Sequence, residues 1–222
     1  MPTLLVIHSS ADLKGSHTRA LTDVVSDAWS KLSDQHRVVT RDLHRQKLPH
    51  LDFIEQHQPP ESRGASILSR EADALQDELL SELLEADALV VGAPMYNFGV
   101  PSTLKSWIDF VLVPGATAPS TRPKQPMAGR PVVIITSQGT SATEVRTSLM
   151  VDPLEAVFCT AMGMDSLVIS ADRTNDKISE RSSRAFAETQ DLCRETTKYI
   201  AKSIRVQRED ITDVEKRSTS VQ

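Results

Sequence analysis

The residues most suited to chemistry lie in Pro94-Met95-Tyr96-Asn97-Phe98-Gly99. They follow an apolar run, Ala88–Ala93, and precede a helix-like segment, Leu104–Leu112. A loop between a strand and a helix sits at the carboxyl edge of a sheet, where open α/β sheets bind ligands. Two aromatics and an amide are concentrated there in a chain that is only 4% aromatic. That set suits a flat, hydrogen-bonding heterocycle. The rival reading is packing of Met95, Tyr96 and Phe98 over the sheet edge, with Asn97 present as a turn former.

Two more loops carry candidate groups. Ser9-Ser10-Ala-Asp-Leu-Lys14-Gly15-Ser16-His17-Thr18 runs from an apolar segment into a helix start. Hydroxyls, free backbone N–H groups and the positive end of a helix dipole make an anion site. The spacing is neither that of a Walker loop nor a GxGxxG turn. A capped helix after a surface loop explains these residues equally well. Ser137-Gln138-Gly139-Thr140 follows another apolar run, and its small residues permit close backbone approach to a ligand. Taken alone it is an ordinary turn.

Hydrophobic patterning supplies the elements that would bring these loops together. Strands are expected at 3–8, 36–43, 88–93, 131–136 and 166–170. Helices are expected at 16–33, 65–85, 102–112, 149–162 and 178–204, with Ser16 as an N-cap. The strands are continuous apolar runs, which marks a parallel sheet covered on both faces. The order βαβαβαβαβα predicts a flavodoxin-like, doubly wound five-stranded sheet of order 2-1-3-4-5. Residues 1–204 form one domain in this reading, and the polar, aperiodic 205–222 is expected to fray. Residues 113–131, with Pro114, Pro119, Pro123, Pro126 and Pro131, read as a long loop.

Bulk properties narrow the partners. Net charge is -5 and the pI about 5.7, which disfavours nucleic acid and a membrane surface. No apolar run reaches transmembrane length. Met1-Pro2 leads directly into the first strand without a basic region or cleavage site, so no signal peptide is expected. Cys159 and Cys193 read as buried or half-buried thiols in a reducing cytoplasm. His44, His50 and His57 match no metal spacing and are expected at the surface; no metal is expected. Trp107, Phe110, Met162 and Met164 read as packing residues.

Together, the three loops resemble those of the flavodoxin-like FMN-dependent NAD(P)H oxidoreductases, the azoreductase and quinone reductase family. The likeness is carried by Pro94-Met-Tyr-Asn-Phe98 with Ser102-Thr103-Leu104-Lys105 and Asp109. Ser10 with Ser16-His17-Thr18, and Arg41-Asp42-Leu43 with Leu48-Pro49-His50-Leu51-Asp52, add to it. It spans about residues 3–204. The resemblance implies that Ser10, Ser16, His17 and Thr18 hold the FMN phosphate. Pro94, Met95, Tyr96, Asn97 and Phe98 would line the isoalloxazine, and Ser137, Gln138, Gly139 and Thr140 would approach its pyrimidine edge. It also implies a homodimer with the active site at the subunit interface.

Hydride transfer would be the cofactor's own chemistry, so no catalytic side chain is assigned. NADH or NADPH would reduce FMN and leave, and a quinone or azo compound would follow in a ping-pong cycle. The chain departs from the family in Gly115-Ala116-Thr117-Ala118, where Ala118 stands in place of an aromatic. Thr117 and Ala118 are therefore substrate-side candidates, and Ala118 would widen the pocket. The Ser-Gln-Gly-Thr loop also lacks the family's arginine and second glycine. Arg122, Lys124 and Arg130 are read as a solvated basic edge rather than a site for the NADPH 2′-phosphate. A flavodoxin-type electron carrier, a biosynthetic reductase of one aromatic substrate and a non-redox α/β module are the competing functions.

Overall fold

A computed structural model of the chain describes residues 1–51, 53–58, 70–119, 125–139, 144–172 and 180–219. The strands are β1 (Thr3–His8), β2 (Arg37–Asp42), β3 (Ala88–Pro94), β4 (Pro131–Ser137) and β5 (Asp165–Ala171). The helices are α1 (His17–Ser30), α2 (Arg70–Glu85), α3 (Ser102–Val111), α4 (Glu144–Glu155) and α5 (Glu180–Thr219). All strand pairs are parallel, in the order β2-β1-β3-β4-β5. This is the flavodoxin-like topology that the patterning predicts.

Alternation along the inner strands explains why both of their faces are apolar. Leu5, Ile7, Leu89, Val91, Val132 and Ile134 pack with residues of α2, α3 and α4. Leu4, Val6, Val90, Val133 and Ile135 pack with residues of α1 and α5. Each inner strand is therefore a continuous hydrophobic run. Trp107, Phe110, Met162 and Met164 are buried in the first of these layers. Cys193 is buried and Cys159 half-buried, and both are free thiols; burial pushes Cys193 up to about 11.

Two boundaries and one side-chain role differ from expectation. Helix α4 begins at Glu144 and contains Pro153, which contributes no N–H to the helix. One π-helical turn, Ala156–Ala161, completes the segment, with the Met162 N–H donating to the Val157 carbonyl. The segment expected to fray from 205 is instead continuous with α5, which runs to Thr219. Arg130 is not a solvated edge residue: it donates to the Leu84 and Ala86 carbonyls at 2.6 and 2.7 Å. It thereby satisfies carbonyls at the end of α2 that the helix itself leaves open. Arg122 and Lys124 lie outside the described residues.

Leu89 is fully buried in central strand β3. Leu89→Ala should lower stability by about 2–5 kcal/mol through lost transfer energy and a residual cavity. A urea titration checks this as a lower midpoint with an unchanged slope.

Candidate functional site

Parallel β1, β3 and β4 end side by side, at His8, Pro94 and Ser137. Their following loops are tied to one another. The Ser9 hydroxyl donates to the Gly92 carbonyl at 2.6 Å, and the Met95 N–H donates to the Ser137 carbonyl at 2.8 Å. The Tyr96 hydroxyl lies 3.1 Å from Ser10 Oγ and accepts the Ala11 N–H at 3.2 Å. The three sequence-distant loops thus meet at one edge.

In the first loop, Asp12 accepts the Lys14 and Gly15 N–H groups, each at 2.9 Å. Those bonds fold the turn and hold the Asp12 carboxyl below its usual range. Ser16 caps α1 by accepting the Arg19 N–H at 3.2 Å, and its Oγ is 3.1 Å from Thr18 Oγ1. Among the described residues, the backbone N–H groups of His17 and Thr18 meet no protein acceptor. They lie at the positive end of α1 beside the Ser16 and Thr18 hydroxyls, which is an anion-binding arrangement. The His17 ring turns away and meets Phe186 of α5 edge-on at 5.1 Å. His17 therefore offers its backbone rather than its imidazole.

Helix α1 can start this close to β3 because of Gly92. A Cβ there would come within 3.1 Å of Thr22 Cγ2 and 3.5 Å of Thr18 Cβ. On the opposite side of α1, a polar cavity of about 440 Å³ is lined by His8, Lys14, Ser16, Asp23, Asp42 and Arg45. The His8 ring makes a 3.1 Å hydrogen bond with Thr22 Oγ1, and burial lowers its pKa.

Arg19 is a positioning residue that the sequence reading missed. It donates to the Ser10 carbonyl at 2.7 and 3.2 Å and forms a bidentate pair with Asp42 at 2.7 and 2.8 Å. Arg41-Asp42 was visible as a motif, but nothing in linear order connects it to position 19. Asp42 also accepts the His44 and Arg45 N–H groups. Burial would raise the Asp42 carboxyl, but the Arg19 and backbone hydrogen bonds outweigh it and bring it down to about 2.

The second loop is a tight hairpin. Tyr96 and Gly99 exchange both backbone hydrogen bonds, at 3.0 and 3.1 Å, and Asn97 and Phe98 both have positive φ, 51° and 65°. Two successive positive φ values define a type I′ turn. Asn tolerates this conformation; Phe does not, at a cost of order 1–3 kcal/mol. Packing does not compensate, because Phe98 is 63% exposed. Met95 does pack on the core. The packing reading thus accounts for Met95, whereas Phe98 stays largely exposed. The Asn97 backbone N–H also meets no acceptor among the described residues.

In the third loop Ser137 and Gln138 are buried, and the Gln138 N–H donates to the Ala171 carbonyl at 3.0 Å. Gly139 continues the loop, and Thr140 lies outside the described residues. The substrate-side candidates are arranged differently. Thr117 is fully buried; its hydroxyl donates to the Val111 carbonyl and accepts the Val113 N–H. Its hydroxyl closes a turn within its own loop. Ala118 is half-buried and bridged to Pro114.

These features fit FMN. A phosphate would meet the free His17 and Thr18 amides and the Ser10, Ser16 and Thr18 hydroxyls. A planar ring system would meet the exposed Tyr96–Phe98 turn.

The Arg19–Asp42 pair sets a pH dependence. Its folded-state carboxyl, about 2, lies below the ordinary 3.8. The contribution is therefore complete above pH 3.8 and is lost as pH falls through about 2. Asp42→Asn should remove this acid-sensitive component and speed amide exchange in residues 9–16 at neutral pH. Hydrogen exchange of wild type and variant across pH 2–7 checks both.

The family of flavodoxin-like fold matches residues 2–193. An FMN-dependent NADH:quinone oxidoreductase of Kineococcus radiotolerans is 42% identical over 181 residues, covering 78% of this chain and 84% of the relative. One of Pseudomonas fluorescens, FMN-dependent NADH:quinone oxidoreductase 2, is 40% identical over 63% of this chain and 71% of its own length. The fold is shared with an FMN-dependent NADH-azoreductase of Bacillus anthracis crystallised with FMN. Its TM-score is 0.75 at 18% identity, over 90% of this chain and 100% of that one. With its 2-1-3-4-5 sheet, its three joined loops and these relatives, the chain belongs to the flavodoxin-like family of FMN-dependent NADH:quinone oxidoreductases.

Proposed function

We propose that this protein is an FMN-dependent oxidoreductase that passes hydride from NADH or NADPH to a quinone or azo-type aromatic acceptor. The observation that carries the reading is the strained, exposed Asn97–Phe98 turn, tied through Tyr96 to the hydroxyl-rich start of α1. Bound FMN supplies the hydride chemistry.

The chain's own residues bind and orient. The α1 amides of His17 and Thr18, with the hydroxyls of Ser10, Ser16 and Thr18, take the phosphate. Tyr96 fixes the distance between phosphate loop and ring loop through its bonds to Ser10 and Ala11. Phe98 and Met95 bound the ring system, and the Asn97 amide N–H serves its polar edge. Ser137, Gln138, Gly139 and Thr140 form the opposite wall. No side chain need act as nucleophile or acid. The nicotinamide and the acceptor use one open face in turn, which gives ping-pong kinetics.

The site is completed in a homodimer. The exposed rings of Tyr96 and Phe98 support this, since exposed aromatics are the groups that interfaces bury. Two free thiols support a cytoplasmic location. Among the described residues no helix is long and apolar enough to cross a membrane.

The purified protein reconstituted with FMN should be yellow and bleach anaerobically with NADH or NADPH. A colourless protein that takes up no FMN overturns the reading, and a yellow protein inert to both nicotinamides points to an electron carrier instead. Ser16→Ala should weaken FMN binding about tenfold, because it removes both the α1 cap and a phosphate hydroxyl. Asn97→Ala should slow bleaching, with a smaller effect on affinity. Fluorescence titration with FMN and stopped-flow absorbance separate the two.

A further inference from the structure

Helix α5 is longer than the fold requires. Its 40 residues span about 60 Å, and the family match ends at residue 193. One face is used inside the molecule: Cys193, Thr197, Ile200 and Ile204 are buried, with α5 packed on α1. A second face, about 100° round the helix from the first, is not covered. Leu192 is 52%, Tyr199 64% and Val206 44% exposed, and Ala185 is exposed. These four recur every seven residues. Thr189, Thr196 and Ser203 fall between them, so the row advances in alternating steps of four and three. A 3.5-residue mean repeat is the seam of a left-handed two-helix supercoil.

Charge selects the partner. Over residues 184–195 the carboxylates Glu188, Asp191 and Glu195 outnumber Arg184 and Arg194, whereas residues 196–206 carry Lys198, Lys202 and Arg205 and no carboxylate; Asp191 pairs with Arg194 and Glu195 with Lys198 within the helix. Two copies side by side in parallel would set like blocks together. Two antiparallel copies set the acidic half of each against the basic half of the other.

We propose that the α5 seam binds a second copy of this chain, antiparallel, about a two-fold axis between Thr196 and Tyr199. Thr196 then faces Tyr199 of the second copy, Leu192 faces Ser203 and Thr189 faces Val206. Every layer sets a large side chain against a small one, which lets the helices approach closely. Glu195 lies beside Lys202 of the other copy, twice by symmetry. The seam begins near the His17–Phe186 contact and runs away from the strand-end loops. It is therefore distinct from a dimer contact at the flavin site, and a single seam of this size adds to a larger interface rather than replacing it.

Sedimentation velocity of the full chain with FMN tests the assignment. Wild type should form a species one doubling larger than Tyr199→Glu or Leu192→Glu at the same concentration. Glu195→Lys should raise the dissociation constant of that step by about tenfold, since it sets lysine against lysine. Glu195→Lys combined with Lys202→Glu should restore it to within about twofold. FMN affinity should be unchanged throughout, which separates this contact from the flavin site. Identical sedimentation of wild type and Tyr199→Glu overturns the proposal. Failure of the double variant to recover also overturns it.

Discussion

The site depends on strands β1, β3 and β4 running parallel and in register. Parallel pairing sends all three carboxyl ends to one edge, and the register sets Gly92 beside His8 and Ser137 beside Pro94. The residues that follow emerge within hydrogen-bonding distance of each other, although they lie up to 86 positions apart in sequence. A one-residue slip would exchange the faces of every strand and dissolve both core layers. The hydrophobic core thus fixes the geometry of the three strand-end loops, through the alternation of Leu5 and Ile7 against Leu4 and Val6.

Strain and restraint are divided between the loops. The α1 start is heavily restrained: Ser16 caps it, Asp12 folds the preceding turn, and Arg19 grips both the Ser10 carbonyl and Asp42. That rigidity keeps the N–H groups of His17 and Thr18 oriented for an anion before one arrives. The Asn97–Phe98 turn instead carries backbone strain with a largely exposed ring. Such strain persists where surrounding structure over-determines it, and here the Tyr96–Gly99 backbone pair closes the turn while Met95 and Tyr96 anchor its N-terminal side. The start of α1 is a fixed cradle, and the 96–99 turn is a strained, largely exposed edge.

Much of this was legible in the chain. The five apolar runs announced the sheet, and Ser16 announced the start of α1. The aromatic-rich loop after Val90-Val91 stood out as the one that lands at the sheet edge beside the β1 loop. The role of Thr117 was not legible, because a threonine in a loop reads identically whether it faces a ligand or closes its own turn. His17 was similarly ambiguous, since its ring contact with Phe186 links residues 169 positions apart. The continuation of the α5 backbone past 204 was not legible because the sequence there shows no apolar stripe at the helical period.

Residue type and order by themselves determined the fold class, the position of the aromatic loop at the strand ends and the hydroxyls at the start of α1. These follow from local periodicity and capping chemistry, which short segments carry intact. Only the tertiary structure decided that Arg19 clamps Ser10 to Asp42 and that Tyr96 joins the two flavin loops. It alone decided that Phe98 is strained and exposed rather than packed. Those outcomes depend on distances between chain-remote groups and on backbone dihedrals, and both exist only once the sheet has closed.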